Sequence, residues 1–326
     1  MKLIKKWTSR AALASAGALL ICGAALAQSF PNKPIMIVVP QAPGGANDII
    51  ARAIANKLGT RLGQPVIVDN RPGAGGNVGT SFVARSKNDG HVLLLTAQSA
   101  HTINPALYSK IPFDAVKDFE PIMTVATAPY LLAVNPKVPA KNLQELIALA
   151  KASPNKIDVA SAGNGTLNHL LAEMLKSAAG IQIMHIPYKG AAAAATDVVG
   201  GQVQMTFGSF PGLMPFVKSG QLRALGVATE KRTSLAPELP TLAETVPGFH
   251  VNSWYGLFAP AGTPKEVVNQ IYSEINQILQ TPDMKAFLMA QGAEPAPSTP
   301  DQLGRLLRED LVRWAKIVKD SNAQID

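Results

Sequence analysis

The chain has 326 residues, of which 47% are hydrophobic and 16% are charged. This composition is typical of a globular protein and excludes a disordered chain. The length suits about two domains or one large α/β unit. The single cysteine, Cys22, excludes a disulfide scaffold, a cysteine-nucleophile enzyme and a zinc ribbon.

The first 27 residues have the features of a secretory signal peptide. They carry four basic residues and no acidic one, followed by an apolar stretch that ends in small residues at Ala25 and Ala27. The pattern predicts cleavage after Ala27, a mature chain that begins at Gln28, and a periplasmic location. No small residue directly precedes Cys22, so soluble export is favoured over lipidation.

The net charge of +8 includes the basic residues of this segment, and the rest of the chain, with 26 basic and 22 acidic residues, carries +4. Those basic residues are scattered along the sequence, without a basic block or interleaved aromatic residues. We therefore expect no nucleic-acid partner. No later segment is long enough and apolar enough to predict a membrane span.

Strands and helices alternate along the mature chain. Short apolar runs predict strands at Ile35–Val39 and at residues 65–68, 91–96, 131–134, 157–161, 182–186, 203–207 and 222–228. Helical spacing of apolar residues predicts helices at residues 48–62, 76–87, 142–152 and 167–179, and two more in the last third of the chain.

Several helix ends have recognisable capping residues. Asn142 is placed to cap the helix that follows it, and Gly180 suits a left-handed C-cap. Two Thr-Pro pairs, at Thr263 and Thr299, predict an N-cap followed by proline in the first helical position. Trp314 lies on the apolar face of the last helix and is predicted to be a core residue.

Alternating strands and helices with short turns predict parallel sheets covered by helices on both faces. The length suggests two such lobes. Two extended stretches, residues 123–129 and 252–258, are candidate crossovers between them. The predicted domains are therefore a first lobe of residues 28–125 plus 254–326 and an inserted second lobe of residues 126–253, with a cleft between the lobes.

Three glycine-rich turns each join a predicted strand to a predicted helix, at residues 40–48, 71–79 and 161–166. Each turn would point unpaired backbone N–H groups out of a helix N-terminus, at the sheet edge where open α/β folds bind ligands. Glycine lets a ligand approach the backbone closely. The alternative is that the glycines only allow tight turns. Two roles of Asp48 stay open at this point: it can stabilise the helix dipole, or it can contact a ligand.

Common catalytic and cofactor motifs are absent from the sequence. The turn at residues 71–79 does not have the dinucleotide-binding glycine spacing, and neither a P-loop nor a G-x-S-x-G elbow occurs. No two of the five histidines have metal-ligand spacing. We therefore expect no metal, no cofactor and no enzyme activity. His169 is close enough to the third turn to face a cleft, but a structural role is favoured. Phe207 and Trp254 are candidate cleft residues for which core packing is the favoured alternative.

A set of short motifs in a fixed order covers nearly the whole mature chain. It comprises Phe30-Pro31-Asn32-Lys33-Pro34, Pro43-Gly44-Gly45 with Asp48, Asn70-Arg71-Pro72-Gly73-Ala74-Gly75-Gly76-Asn77, Asn104-Pro105-Ala106-Leu107-Tyr108, Ser161 with Gly163, Gly165, Thr166, His169 and Leu170, Pro187-Tyr188-Lys189-Gly190, Leu222-Arg223-Ala224-Leu225, and Ala259-Pro260-Ala261-Gly262-Thr263-Pro264. Together these motifs resemble the substrate-binding proteins of tripartite tricarboxylate transporters, the Bug family.

The resemblance implies an α/β fold of the periplasmic binding protein (Venus-flytrap) type, in which each lobe is a mostly parallel sheet flanked by helices. It implies a monomer that captures a small carboxylic acid and delivers it to membrane transporter subunits, without a cofactor. Matched residue by residue, and with the cleft candidate Phe207 added, the expected ligand-binding residues are Gly45, Ala46, Asn47, Asp48, Gly75, Gly76, Asn77, Ser161, Gly163, Thr166 and Phe207.

Two other functions stay open at this stage. One is a periplasmic sensory protein that binds the same class of ligand and signals to a membrane partner. The other is an enzyme that acts on a small carboxylate, which would need a nucleophile and base in the cleft. Some relatives carry an acidic residue at the position of Gly208, where it would meet a ligand ammonium group. Its absence here makes an amino-acid ligand less favoured.

Overall fold

The computed structural model describes residues 30–251, 253–321 and 323. The predicted signal peptide, its cleavage site and Cys22 lie outside the described residues. Within the described part, none of the helices combines the length and the apolar character that crossing a bilayer requires.

The described residues form eleven strands and ten α-helices. The strands are β1 (Ile35–Val39), β2 (Val66–Asn70), β3 (Val92–Ala97), β4 (Phe119–Thr127), β5 (Tyr130–Val134), β6 (Asp158–Ser161), β7 (Met184–Pro187), β8 (Met205–Ser209), β9 (Arg223–Val227), β10 (Trp254–Pro260) and β11 (Glu294–Pro295). The helices are α1 (Ala46–Leu62), α2 (Asn77–Ala84), α3 (Asn104–Leu107), α4 (Leu143–Ala152), α5 (Leu167–Ala179), α6 (Ala191–Gly200), α7 (Phe210–Lys218), α8 (Lys265–Gln280), α9 (Pro282–Ala290) and α10 (Pro300–Ser321).

The strands form two sheets, which confirms the two-lobed α/β fold. The first sheet has the order β11-β4-β10-β3-β1-β2, and the second has the order β7-β6-β8-β5-β9. Most strands of each sheet run in one direction, but both sheets are mixed. The reversed strands are β10 and β11 in the first sheet and β5 in the second.

The chain passes between the sheets at two neighbouring points. β4 ends at Thr127 and β5 begins at Tyr130, while the returning chain enters β10 at Trp254, which pairs with Thr127. The Ala128 N–H donates to the Ser253 carbonyl at 2.9 Å and joins the two crossing segments. Because β5 is antiparallel to β8 and starts at the crossing, the carboxyl ends of β6–β8 face the carboxyl ends of β1–β3.

Each sheet has an apolar cluster on both faces, and the last helix belongs to both lobes. In α10, Leu303 and Leu307 pack in a cluster of the first lobe, whereas Trp314 and Val318 pack in a cluster of the second. α10 therefore packs against both lobes, and the assignment of residues 254–326 to the first lobe stays a prediction. Trp314 is fully buried, as its place on the apolar face predicts.

Most predicted helix ends are confirmed. Oδ1 of Asn142 accepts the Glu145 N–H at 2.8 Å, and Gly180 adopts a left-handed C-cap. Thr299 and Gln302 exchange the two hydrogen bonds of a capping box. The prediction at Thr263 is wrong. Its hydroxyl donates to the Pro260 carbonyl, and Pro264 occupies the N-cap position of α8.

Candidate functional site

The connections between the strands mark one crevice in each sheet. In the first sheet the chain leaves β1 toward β2 on one side and leaves β3 toward β4 on the other. In the second sheet it leaves β6 toward β7 and leaves β8 toward β9 in the same divergent way. Open α/β sheets bind ligands at such switch points, beyond the carboxyl ends of the strands. Since these strand ends face each other, the two crevices lie on opposite sides of one cleft.

The loop after β1 presents unpaired N–H groups at its crevice. Gly45 occupies the N-cap position of α1 in an extended conformation, and no side chain caps the helix. The first-turn N–H groups of Ala46, Asn47 and Asp48 have no hydrogen-bond acceptor among the described residues. A helix N-terminus carries about half a positive charge, so the loop is suited to an anion.

Asp48 holds this loop in place. Its Oδ2 accepts the Gly44 N–H at 2.9 Å and the Arg52 Nε–H at 3.0 Å, and Nη2 of Arg52 lies 2.9 Å from Oδ1. The hydrogen bond from Arg52 is the main cause that holds the pKa of Asp48 below its usual value, against the effect of burial. Oδ2 is thus occupied by the loop and by Arg52, which favours a positioning role, while Oδ1 is buried, faces the Arg52 guanidinium and accepts no hydrogen bond among the described residues.

Asn47 is almost fully buried beside Asp48. Its Nδ2 donates to Oε1 of Gln41, while its Oδ1 is buried and has no partner within the described residues. An acceptor of this kind needs a donor such as a water molecule or a ligand hydroxyl. Asn47 is therefore suited to a water-bridged contact rather than to direct contact with a carboxylate.

The loop after β2 lies against the loop after β1, but more of its polar groups are already paired within the protein. The Gly76 N–H donates to the Gly73 carbonyl at 2.9 Å, and Nδ2 of Asn104 donates to the Gly75 carbonyl at 3.0 Å and to Oδ1 of Asn77 at 2.9 Å. Positive φ values of 65° at Gly75 and 105° at Gly76 allow this path. The Gly76 N–H is already paired, so it is not a free donor for a ligand.

The third glycine-rich turn follows β6 in the second lobe. The hydroxyl of Ser161 is fully buried, accepts the Gly163 N–H at 3.1 Å and lies 2.6 Å from Nε2 of His185. The Thr166 hydroxyl donates to the Gly163 carbonyl at 2.7 Å instead of capping α5. These polar side chains shape the turn rather than face the cleft. The unpaired donors are the first-turn N–H groups of α5, at residues 167–169, which have no acceptor in the described part of the chain.

The contact between Ser161 and His185 resembles half of a catalytic pair but lacks its chemistry. His185 stacks on His169 with ring centroids 4.0 Å apart. Desolvation is the main cause that lowers the pKa of His185 to about 4, and the nearby His169 and Lys176 lower it further. A weak base next to a hydroxyl that solvent does not reach is a poor activator of a nucleophile. Desolvation also lowers the pKa of His169.

Phe207 and Trp254 are both core residues. Each is fully buried, and the Phe207 ring stacks on Phe249 with centroids 6.1 Å apart. The ring of Phe207 therefore packs in the core of the second lobe, but the residue also lines a cavity at the carboxyl end of β8, and a ligand contact at Phe207 stays a prediction. Its carbonyl accepts a hydrogen bond from Nδ2 of Asn168 at 2.5 Å and so joins β8 to the start of α5.

Two tyrosines lie at the crossing between the lobes, and the sequence did not identify either of them as a residue of this region. Tyr130 is the first residue of β5, and Tyr255 is the second residue of β10. Burial raises the pKa of Tyr130 to about 12 and that of Tyr255 further still, and the nearby Tyr130 adds to the effect on Tyr255. Neither tyrosine has a sequence signal that distinguishes it from a core residue, because its place at the crossing depends on the whole topology.

A metal ion has no evident site in the part of the chain that the structure describes. None of its groups of histidine, cysteine, aspartate and glutamate brings three side chains together in a way that could hold a metal ion.

Comparisons with known proteins agree with the two-lobed fold described above. Residues 50–323 match the family described as tripartite tricarboxylate transporter family receptor. The structure of periplasmic binding protein BugD is similar, with 34% identity, a TM-score of 0.74, and coverage of 91% of this chain and 100% of that one.

Two similar structures contain a ligand. Rpa4515 of R. palustris, solved with adipate, is 32% identical with a TM-score of 0.78 over 91% of this chain and 100% of that one. MatC from Rhodopseudomonas palustris, with bound malate, is 31% identical with a TM-score of 0.74 over 89% of this chain and 100% of that one. Family match and similarity both extend over most of the chain, so this protein belongs to the receptor family of tripartite tricarboxylate transporters, the family of the Bug periplasmic binding proteins.

Proposed function

We propose that this protein captures a small carboxylic acid in the cleft between its lobes and delivers it to a tripartite membrane transporter. The observation that carries the proposal is the pair of facing strand edges, where the first turns of α1 and α5 both present N–H groups without acceptors among the described residues. The similar proteins solved with adipate and malate bind acids of this kind.

The proposed contacts are mainly made by the backbone. The N–H groups of Ala46, Asn47 and Asp48 bind the carboxylate from the first lobe, and those at the start of α5 bind it from the second. The polar side chains at Asp48, Asn77, Ser161 and Thr166 and the glycines Gly45, Gly75, Gly76 and Gly163 shape these loops. Lobe closure around the acid then excludes water and strengthens the interactions.

We further propose that cleavage after Ala27 releases a periplasmic monomer whose second lobe is inserted into the first at the crossings near residues 127–130 and 251–254. A sensory receptor would use the same cleft. Capture of membrane partners from cells grown on the identified acid distinguishes the two functions. If the protein serves a transporter, the captured proteins must include the transporter's membrane subunits.

The test removes one N–H group without disturbing the helix. Ala46 is the first residue of α1, where proline is favoured, and Gly45 before it has the extended conformation that a following proline requires. We expect Ala46→Pro to weaken binding of the acid by about 1.5–3 kcal/mol, the usual contribution of a hydrogen bond to a charged group.

The matched control is Lys265→Pro, at the first position of α8. This helix follows the far end of β10, away from the crossing, and Pro264 before it is already extended. Calorimetry with the acid released from freshly purified protein and identified by mass spectrometry measures both variants. Equal binding by folded Ala46→Pro and wild-type protein contradicts the proposed contact, and absence of any carboxylate ligand contradicts the function.

A further inference from the structure

A groove of about 730 Å³ runs along α2 on the surface of the first lobe. Its walls are α2 and the segment of residues 108–112 that follows α3, and one end reaches the loop after β2 at Ala74. The charged side chains that line this basic groove are Arg71, Arg85 and Lys110. Because the loop after β2 also borders the proposed cleft, one end of the groove lies at the edge of the ligand site.

No carboxylate among the described residues lines the basic groove beside these three cations. Nε of Arg71 donates to Oδ2 of Asp69 at 2.7 Å, and Asp69 lies outside the lining. Arg85 and Lys110 are exposed and have no acidic partner in the described part of the chain, although Nη2 of Arg85 donates to the Pro112 carbonyl at 3.5 Å. Two positive charges of the groove are therefore not balanced.

The floor between these cations is apolar. The guanidinium carbon of Arg71 lies 3.6 Å from the centroid of the Phe82 ring. Val78 leaves 53% of its surface exposed, and Pro112 is exposed on the opposite wall. An apolar side chain from a partner would find uncovered area here, and burial of that area favours binding.

The uncharged polar side chains of the lining do not oppose an anion. Oδ1 of Asn77 accepts a hydrogen bond from Nδ2 of Asn104 at 2.9 Å, and the Ser86 hydroxyl donates to the Phe82 carbonyl at 2.9 Å. Ser81 and Tyr108 are the other hydroxyl-bearing residues of the lining. A hydroxyl group can donate as well as accept, so it tolerates a neighbouring carboxylate.

These features fit a protein segment that carries carboxylates next to an apolar side chain. Complementary charge speeds association and fixes the orientation of a partner. The concave shape and apolar floor suit a chain segment better than a flat lipid surface. The sequence also lacks a block of four or more basic residues, the pattern that is typical of proteins that bind anionic lipid.

We propose that the basic groove docks an acidic segment of the transporter's membrane subunit. Carboxylates of that segment pair with Arg85 and Lys110, and an apolar side chain packs on Val78 and Phe82. The inference rests on the proposed function, which supplies the membrane partner. A partner docked in this way contacts the loop after β2 and therefore touches a part of the protein that shapes the ligand site.

Photo-cross-linking tests this contact. p-Benzoylphenylalanine in place of Val78 puts a reactive ketone in the groove, and the same group in place of Val312, which is 75% exposed on α10, is the control outside it. Both proteins are irradiated, with and without adipate and malate, on right-side-out inner-membrane vesicles from cells that produce this protein. We expect the label at position 78 to link at least tenfold more strongly, and to an acidic segment of a membrane subunit when the linked peptides are sequenced.

Charge reversal tests the role of the cations. Arg85→Glu with Lys110→Glu reverses both unbalanced charges, while Arg305→Glu with Lys285→Glu makes the same change at exposed positions that do not line the groove. In the protein labelled at Val78, we expect the first pair to reduce cross-linking at least tenfold and the control pair to change it less than twofold. Raising the salt from about 0.1 M to about 1 M shortens the screening length from about 10 Å to about 3 Å and should also reduce cross-linking. If circular dichroism shows that the first pair is unfolded, Arg85→Gln with Lys110→Gln takes its place.

Three results overturn the inference: equal cross-linking by the charge-reversed and control proteins, a linked segment without acidic residues, or no link from position 78. Salt-sensitive binding of wild type, but not of the charge-reversed protein, to protein-free vesicles of phosphatidylglycerol and phosphatidylcholine also overturns it, because a lipid headgroup is then the occupant.

Calorimetry with hexanoate, adipate and malate keeps the two proposals apart. Carboxylate binding that is retained in the charge-reversed protein while cross-linking is lost supports docking in the groove. Loss of carboxylate binding in that protein places the groove in the ligand site and overturns the inference. Failure of wild type to bind every carboxylate tested contradicts the proposed function, whereas failure to cross-link with carboxylate binding intact contradicts the inference alone.

Discussion

The indole N–H of Trp254 donates a hydrogen bond of 2.7 Å to Oδ2 of Asp310. Nε2 of Gln98 donates to the same oxygen at 2.6 Å. Trp254 is the first residue of the strand that returns from the second lobe, and Asp310 lies on the helix that packs against both lobes. A buried carboxylate thus joins α10 to the crossing between the lobes.

The first prediction concerns this carboxylate. Asp310→Ala leaves the buried N–H groups of Trp254 and Gln98 without an acceptor, so we expect a loss of about 2–4 kcal/mol in the free energy of unfolding. Asp310→Asn retains an oxygen for both donors and is expected to stay within about 1 kcal/mol of wild type. Urea unfolding at pH 7 measures both, with Glu309→Ala as the exposed neighbouring control.

The same variants have a defined pH dependence. Burial raises the pKa of Asp310 above its usual value, so as the pH rises the unfolded chain loses this proton before the folded one does. Ionisation therefore costs stability from about pH 4 upward. Relative to wild type, Asp310→Asn should gain stability between acidic and neutral pH, and a constant difference across that range contradicts this.

The second prediction separates two roles of Asp48. If it positions the loop, Asp48→Asn weakens binding of the acid and lowers the free energy of unfolding by about 1 kcal/mol, through the weakened bonds to Gly44 and Arg52. If its charge instead faced the ligand carboxylate, the substitution would tighten binding. Because the pKa of Asp48 is lowered in the folded state, its stabilisation is present above the unfolded pKa and is lost as the pH falls through the folded pKa.

Calorimetry and unfolding at pH 7 and in acid test this prediction. The control is Asp283→Asn, which changes an exposed, ion-paired carboxylate on α9. We expect that control to leave binding unchanged.

The third prediction concerns acid stability. The pKa of His185 is lowered to about 4 and that of the fully buried His101 is also lowered to about 4, both mainly through desolvation. As the pH falls below about 6.5, the unfolded chain takes up these protons first, so stability should fall from there to about pH 4. His185→Gln should remove part of this slope, and the double variant with His101→Phe should remove more.

Thermal unfolding across that pH range measures the effect, with the slope of the wild type as reference. An unchanged slope in His185→Gln means that its environment does not disfavour the charged imidazole.

The fourth prediction compares two glycines with positive φ. Gly180 has a φ of 61° and open space around an added Cβ, so Gly180→Ala should cost only about 1–2 kcal/mol of left-handed strain. Gly76 has a φ of 105°, and an added Cβ would lie 3.1 Å from Cβ of Ala100. Gly76→Ala should therefore be more destabilising in urea unfolding.

Equal losses for the two variants would show that the loop after β2 relaxes around the added methyl group. The same crowding makes Gly76 a poor position at which to test how closely a ligand approaches this loop, because a bulkier side chain there disturbs folding as well as binding.

Several local features of this chain were predictable from its sequence. The strand Ile35–Val39 and the helix Leu167–Ala179 begin and end where the apolar pattern places them, with Gly180 closing that helix. Such features depend on residues within one or two turns of each other, so the local pattern contains the necessary information. The position of the glycine-rich turns at sheet edges follows from the same alternation.

What the sequence could not give was the use of each polar group. Ser161 turns inward because His185, on a different strand, lies 2.6 Å from its hydroxyl. Asp310 is buried because it accepts a hydrogen bond from the indole of Trp254, which lies 56 residues away in the chain. The antiparallel direction of β5 and β10 and the division of α10 between the lobes depend in the same way on packing between distant segments. Sequence by itself determined the elements and the family motifs, whereas tertiary contacts decided which N–H groups remain free for a ligand, since each donor is used first by whichever acceptor the fold brings near it.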